Sequence, residues 1–204
     1  NKKINWNFYS SKQANLQNRE IYYPRGKVLG GSSSINGMVY ARGLKSDYDN
    51  WHLSPELSLD NIISNFNEIE QPIDSNDLFL NSDKVPVNDV SEQHHNILKY
   101  FFKGCNEMGI QFNKNLNTEI KNQVGHYNIN TYKGRRYSSS KVFLNSILKN
   151  KRLKLMTKTN VSKLIIKEKK IESIEVIINK KKIKIEPNIG TVLCSGAIMT
   201  PYIL

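Results

Sequence analysis

The stretch Gly30-Gly31-Ser32-Ser33-Ser34, embedded in Pro24 to Gly43, constrains this chain more than any other. Two adjacent glycines let backbone approach a ligand closely. Three serines add hydroxyl donors to the backbone N–H groups, and such a concave run of donors suits an anion. The spacing predicts a helix start near Ser34 and a short helix through Met38-Val39-Tyr40. A helix start there would aim its positive end at a phosphate.

The flanking patterns set the organisation. Ser54-Pro55-Glu56 reads as a helix start, with Ile62, Ile63, Phe66 and Ile69 on one face. Val85-Pro86-Val87 reads as an edge strand, because proline cannot donate to a ladder. Ser91 reads as the cap of an amphipathic helix carrying Ile97, Leu98, Phe101, Phe102, Cys105 and Met108, ended by Gly109. Tyr127-Asn128-Ile129 reads as a strand. Ser138-Ser139-Ser140 opens a further helix with Val142, Phe143, Leu144, Ile147 and Leu148 inward. Beyond it come short strands at Leu153–Met156, Val161–Ile166, Ile171–Ile178, Lys182–Glu186 and Thr191–Cys194. A polar turn at Glu168-Lys169-Lys170 joins two of them. The chain closes on a strand-to-helix turn at Ser195-Gly196-Ala197.

Composition narrows the classes. The formal net charge is +12, which raises polyanions and anionic surfaces as partners. The densest lysines, Lys167, Lys169, Lys170, Lys180, Lys181, Lys182 and Lys184, alternate with isoleucine and lack interleaved stacking aromatics. A solvated hairpin face is the expectation, and nucleic acid is not expected as a partner. No segment has the length and apolarity of a membrane span. Cys105 and Cys194 read as small buried residues rather than a disulfide, which points to a reducing, cytoplasmic setting. The Cys and His spacings build no metal site.

The order of residues in 24–43, continuing through Asp47, Tyr48, Asp49 and Trp51, resembles the first signature of the glucose–methanol–choline (GMC) flavin oxidoreductases, most closely the choline dehydrogenase-like branch. Cys194-Ser195-Gly196-Ala197-Ile198-Met199-Thr200-Pro201 resembles the start of the second signature. Gly134-Arg135-Arg136-Tyr137-Ser138-Ser139-Ser140-Lys141 resembles a further family segment, and it reads equally well as a helix N-cap with a basic approach. Thr159-Asn160-Val161-Ser162-Lys163-Leu164 is similar to a strand that holds an adenine edge, although Val161 alone would also suit a strand core.

The resemblance implies an α/β (α+β) fold: part of a Rossmann-like FAD-binding domain plus part of an antiparallel sheet-and-helix substrate-binding domain. It assigns 1–51 and 135–204 to the first and 52–134 to the second. It implies FAD, with Gly31 and Ser32 at the pyrophosphate, Asn36, Gly37, Met38 and Val39 along the flavin, and Val161 at the adenine. Ile35 stands where some members carry a flavin-linking histidine, so a noncovalent cofactor is expected. The implied reaction is oxidation of the CH–OH group of a choline-like alcohol, with hydride transfer to flavin N5 and an electron acceptor that the residues do not identify. Peripheral membrane association of the intact protein stays open.

No Gly-x-Gly-x-x-Gly turn occurs in the 204 residues. The catalytic histidine implied by the family is expected beyond the C-terminus, and His52, His94, His95 and His126 are not assigned that role. His94 and His95 are expected at the surface. His126 falls in the substrate-domain strands. An internal fragment of a longer protein is therefore the expectation. The rival reading is a truncated chain with neither cofactor nor activity. A basic interaction module is a weaker third.

Overall fold

The computed structural model describes residues 2–49, 51, 58–73, 79–81, 83–117 and 122–204. The chain divides into two compact units, Asn1–Asn150 and Lys151–Leu204.

In chain order the first unit contains β1 (Phe8–Tyr9), β2 (Tyr22–Tyr23), β3 (Val39–Tyr40), α1 (Lys45–Asp49), α2 (Leu59–Ile69), β4 (Glu70–Ile73), β5 (Val85–Asn88), α3 (Leu98–Glu107), β6 (Gln111–Phe112), β7 (Gln123–Val124), β8 (Asn128–Ile129), β9 (Thr131–Tyr132) and β10 (Arg135–Arg136). Its largest sheet has the order β3-β8-β5-β4. β3 and β5 pair antiparallel with β8, while β4 and β5 run parallel. Pro86 is fully buried, so β5 is an interior strand and not the edge that its proline suggests. The arrangement works because β8 meets β5 only at Asn88. The proline's missing N–H therefore costs no bond to β8. Among the described residues of this unit, Ile73, Pro86, Val87, Val90, Tyr132 and Val142 are apolar and buried.

Several expected helices differ. Residues 38–40 form strand β3 rather than a helix, because Met38 adopts φ 64° and Val39 pairs with Ile129. The α2 helix begins at Ser58, whose hydroxyl accepts from Asn61 N–H; the proposed start at residues 54–56 lies outside the described residues. Ser91 caps nothing long. Ser91–Gln93 is an isolated 3₁₀ turn, and α3 starts seven residues later without a side-chain cap. Of its expected apolar face, Ile97, Phe101 and Met108 are exposed, and Leu98, Phe102 and Cys105 are half-buried. After Ser138 the helix is one π-type turn, Ser140–Leu144, and one 3₁₀ turn, Asn145–Ile147, with Val142 buried and Phe143, Ile147 and Leu148 exposed.

The polar centre of the unit is Glu70. Its carboxylate is almost wholly buried and accepts from Tyr40 Oη and from both Arg42 Nε (2.9 Å) and Arg42 Nη2. Arg42 also reaches Asn67 Oδ1 at 2.9 Å and lies over the Phe66 ring. Burial, helped by Glu70, pushes the Tyr40 hydroxyl far above the usual phenol range. The network ties β3 to α2 and β4.

The second unit is a three-stranded antiparallel meander of β11 (Thr159–Lys167), β12 (Lys170–Ile178) and β13 (Lys181–Ile185), followed by α4 (Gly196–Ile203), which packs on β11. Glu168, Lys169, Asn179 and Lys180 all have positive φ, so both hairpins use two-residue turns whose twist matches the strands. Leu164, Val176 and Ser173 are buried. Leu153–Met156 and Thr191–Cys194 are not strands: no described segment pairs with them, and an isolated strand has no ladder to hold it. Cys194 is exposed, against the buried position expected for it.

Replacing Glu70 by Ala strands a half-buried guanidinium and a half-buried phenol, and should cost about 1–3 kcal/mol in urea unfolding. Glu70→Gln, which retains one acceptor, should lose less.

Candidate functional site

The approach to the glycine–serine turn is held by Asn5. This buried residue accepts from Arg25 N–H at 3.0 Å through Oδ1 and donates to Tyr22 Oη at 2.5 Å. Asn5 also bridges Gly26. A Cβ at Gly26 would lie 2.1 Å from the Gly31 carbonyl oxygen, so only glycine permits the chain to pass so close to the turn.

The turn itself is Gly31–Ser34, a single 3₁₀ turn and not the start of a helix. It is too short to supply a helix N-terminal field, so the electrostatic expectation for a phosphate there is withdrawn. What the turn offers is access. Gly31 (φ 54°) and Gly37 both have open space where a Cβ would point, with nothing within 4 Å. Ser32, Asn36, Gly37 and Val39 are exposed, while Gly31, Ile35 and Met38 are half-buried. The Ser32 hydroxyl accepts from Gly26 N–H at 3.2 Å, which leaves its own proton free to donate outward. All six cofactor candidates of the first unit thus lie along one strip of chain, residues 31–39, that is exposed or half-buried throughout. Val161 lies in the second unit, on edge strand β11, paired with Val176 and next to an irregularity in the ladder.

A segment about a hundred residues downstream locks the inner side of this strip. Ser139 N–H donates to Ser33 Oγ at 2.9 Å, and Ser139 Oγ donates to Gly30 O at 3.2 Å. Ser33 Oγ also donates to Gly30 O at 2.5 Å. Gly30 has φ 84°, and a Cβ there would meet Ser34 Oγ at 2.6 Å and Ser140 Oγ at 2.9 Å. Arg136 donates to Ser33 O, Asn36 Oδ1 and Asn36 O at 3.1, 2.6 and 2.7 Å. Sequence reasoning brought the 134–141 segment into view only as a resemblance and an N-cap. The clue it passed over was a guanidinium two residues before a serine cluster, far from any acidic partner in sequence.

The histidines lie elsewhere. His126 stacks on His94 with centroids 4.0 Å apart, and its ring edges meet Phe102 and Phe112. Burial, reinforced by His94, holds His126 below the usual histidine range, with Asp89 pulling the other way. Lys114 pairs with that Asp89 at 3.4 Å. His94 and His95 are exposed, and His52 lies outside the described residues. Among the described residues no group of three or more His, Cys, Asp or Glu side chains could hold a metal. No described helix is long and apolar enough to cross a membrane.

The glycine–serine strip is thus open on one side, buttressed from behind, and continuous with a mixed sheet through Val39. Residues 9–204 match the sequence model described as GMC oxidoreductase. The chain belongs to the GMC oxidoreductase family. Among curated relatives, it is 30% identical to the alcohol dehydrogenase [acceptor] of Pseudomonas putida, over 100% of this chain and 38% of that protein. It is 26% identical to the mitochondrial choline dehydrogenase of Mus musculus, over 99% of this chain and 34% of that protein. The chain therefore spans little more than a third of the length of these relatives. Its fold is that of pyridoxine 4-oxidase from Mesorbium loti, with TM-score 0.85 at 23% identity, over 97% of this chain and 40% of that one. It also matches a formate oxidase from Aspergillus oryzae RIB40 solved to follow FAD modification, with TM-score 0.80 at 19% identity, over 98% of this chain and 37% of that one. The α/β class expected for the sequence stands on these neighbours.

Two outcomes follow from the geometry. Gly26→Ala should destabilise the protein by about 1–3 kcal/mol through its clash with the Gly31 carbonyl, whereas Gly37→Ala should stay within about 0.5 kcal/mol of wild type; urea unfolding of both reads the difference. His126 binds a proton more readily unfolded than folded, so its contribution to stability is complete above about pH 6.5 and is lost as pH falls through its lower folded value. Urea midpoints measured between pH 7.5 and 5 should therefore drop further for wild type than for His126→Phe.

Proposed function

We propose that the protein is an FAD-dependent oxidoreductase acting on the CH–OH group of a choline-like alcohol, and that this chain supplies part of a noncovalent flavin cradle. The observation that carries the reading is the open strip at Gly31 and Gly37, where nothing occupies the space a side chain would fill. Family membership and the alcohol and choline dehydrogenases among the relatives support the substrate class.

The roles follow from what each residue exposes. Gly31 would let backbone meet the pyrophosphate, and the outward-donating Ser32 hydroxyl would hydrogen-bond it. Asn36, Gly37, Met38 and Val39 would flank the ring system, largely through backbone, while the exposed Val39 side chain adds an apolar surface. Val161, on an edge strand, would offer backbone groups to an adenine edge. In the same reading 1–51 and 135–204 serve the cofactor, and 52–134 serve the substrate. The chemistry that FAD supplies when bound is acceptance of two electrons at N5 from the alcohol carbon. The proton-accepting histidine implied by the family resemblance would lie beyond the C-terminus of this chain, and His94 and His126 instead stack on one another. Ile35 carries no atom that could bond the flavin covalently.

A second reading is favoured by the absence of a Gly-x-Gly-x-x-Gly turn and by the partial span of the relatives. In it, the 204-residue polypeptide by itself holds FAD weakly and turns over no alcohol. Flavin absorbance and choline oxidation, measured on this polypeptide and on the full-length protein, separate the two.

In the full-length protein, acid precipitation should release all flavin to the supernatant; flavin remaining in the pellet would refute the noncovalent cradle. Gly37→Val, which has room in the folded chain, should lower flavin loading at unchanged protein yield, with Lys169→Ala as an unaffected control.

A further inference from the structure

We propose that Arg136 is the positioning residue of the flavin-facing turn, acting through Asn36 to hold the backbone of residues 36–39 in its ligand-ready conformation. This rests on the cofactor reading above.

The argument starts at Met38. It has φ 64°, in the left-handed region that a side chain disfavours. Such a residue persists only where its surroundings over-determine it. Two contacts do so here. Met38 N–H donates to Asn36 Oδ1 at 3.0 Å, and Met38 O accepts from Asn130 N–H at 2.8 Å. The second is backbone to backbone. The first is only as firm as the Asn36 side chain, and Asn36 is exposed.

Arg136 supplies the missing firmness. Its Nη1 donates to Asn36 Oδ1 at 2.6 Å, and its Nη2 donates to Asn36 O at 2.7 Å. One planar fork thus grips the side chain and the main chain of the same residue. The same Nη1 reaches Ser33 O at 3.1 Å, which joins the pyrophosphate side of the strip to the flavin side. The fork stands on a rigid base: Arg136 is half-buried in β10 and faces buried Thr131 across the strand pair. A lysine ammonium is a point charge and cannot span both Asn36 oxygens with fixed geometry. Arg135, its strand neighbour, is exposed and makes none of these contacts. The charge on Arg136 is thus spent on backbone carbonyls and an amide, with no carboxylate among its hydrogen-bond acceptors, and those acceptors all belong to the strip.

The test uses the full-length protein with Arg136→Lys, Arg136→Ala and the control Arg135→Lys. Hydrogen exchange of flavin-free protein reads the turn directly, and FAD titration reads its consequence. Faster exchange confined to residues 33–39 is expected in both Arg136 variants. Each lost charge-assisted bond should weaken FAD binding by about tenfold or more. Millimolar methylguanidine should restore FAD affinity to Arg136→Ala, and Arg135→Lys should match wild type. Wild-type exchange and FAD affinity in both Arg136 variants would overturn the proposal. So would exchange that rises throughout the unit with no rescue, which marks a structural role alone. Failure of the wild-type protein to bind FAD would instead bring down the cofactor reading, and this inference with it. That failure is visible in the wild type without any variant.

Discussion

The Ser33–Ser139 contact, with the Arg136 fork beside it, is the interaction on which the rest of the site depends. The run from Gly30 to Ser34 has almost no side-chain bulk of its own. A glycine–serine run with its open face toward solvent is entropically costly to order. Its order comes from behind, where the serine cluster and the guanidinium satisfy the carbonyls of Gly30, Ser33 and Asn36. Because the support is all on one side, the other side stays bare. In the cofactor reading, any group that stiffened the strip from the front would occupy the ligand's place.

Glu70 does for the sheet what Arg136 does for the strip. Both are charged groups turned inward onto main elements, and both are saturated with partners rather than simply buried. The difference lies in what surrounds them. Glu70 meets a cation and a phenol in a place largely closed to water, so its loss strands other polar groups. Arg136 meets neutral oxygens near the surface, so its loss frees a loop.

Local signals were legible where local physics decides the outcome. The β11–β12–β13 meander was readable because isoleucine and valine recur among polar residues at strand spacing and the turns between the strands are short and polar. The glycine–serine strip was readable because few other residues tolerate its backbone. The helix expected at 38–40 failed because strand pairing with Ile129 and the hydrogen bonds that Met38 donates to Asn36 and accepts from Asn130 outweigh the local pattern. Ser91 looked like a cap, but Asp89 takes its N–H into a tight turn instead and the helix waits until Leu98. Pro86 looked like an edge marker, yet its strand has a neighbour on each side. In each case a partner distant in sequence set the result. The docking of 136–140 onto 30–36 belongs to the same class: no periodicity or spacing links residues 106 positions apart.

That separation has a consequence for how the chain is made. Synthesis proceeds at roughly 5–20 residues per second, so Ser139 leaves the ribosome about 5–20 s after Ser33. Until then the glycine–serine turn has only its local contacts, such as Gly26 N–H to Ser32 Oγ, and closing so long a loop is slow compared with forming a hairpin. The meander in the second unit, built entirely from sequence neighbours, can assemble as soon as it emerges. The segment written first among the site's parts is thus among the last to gain its full support.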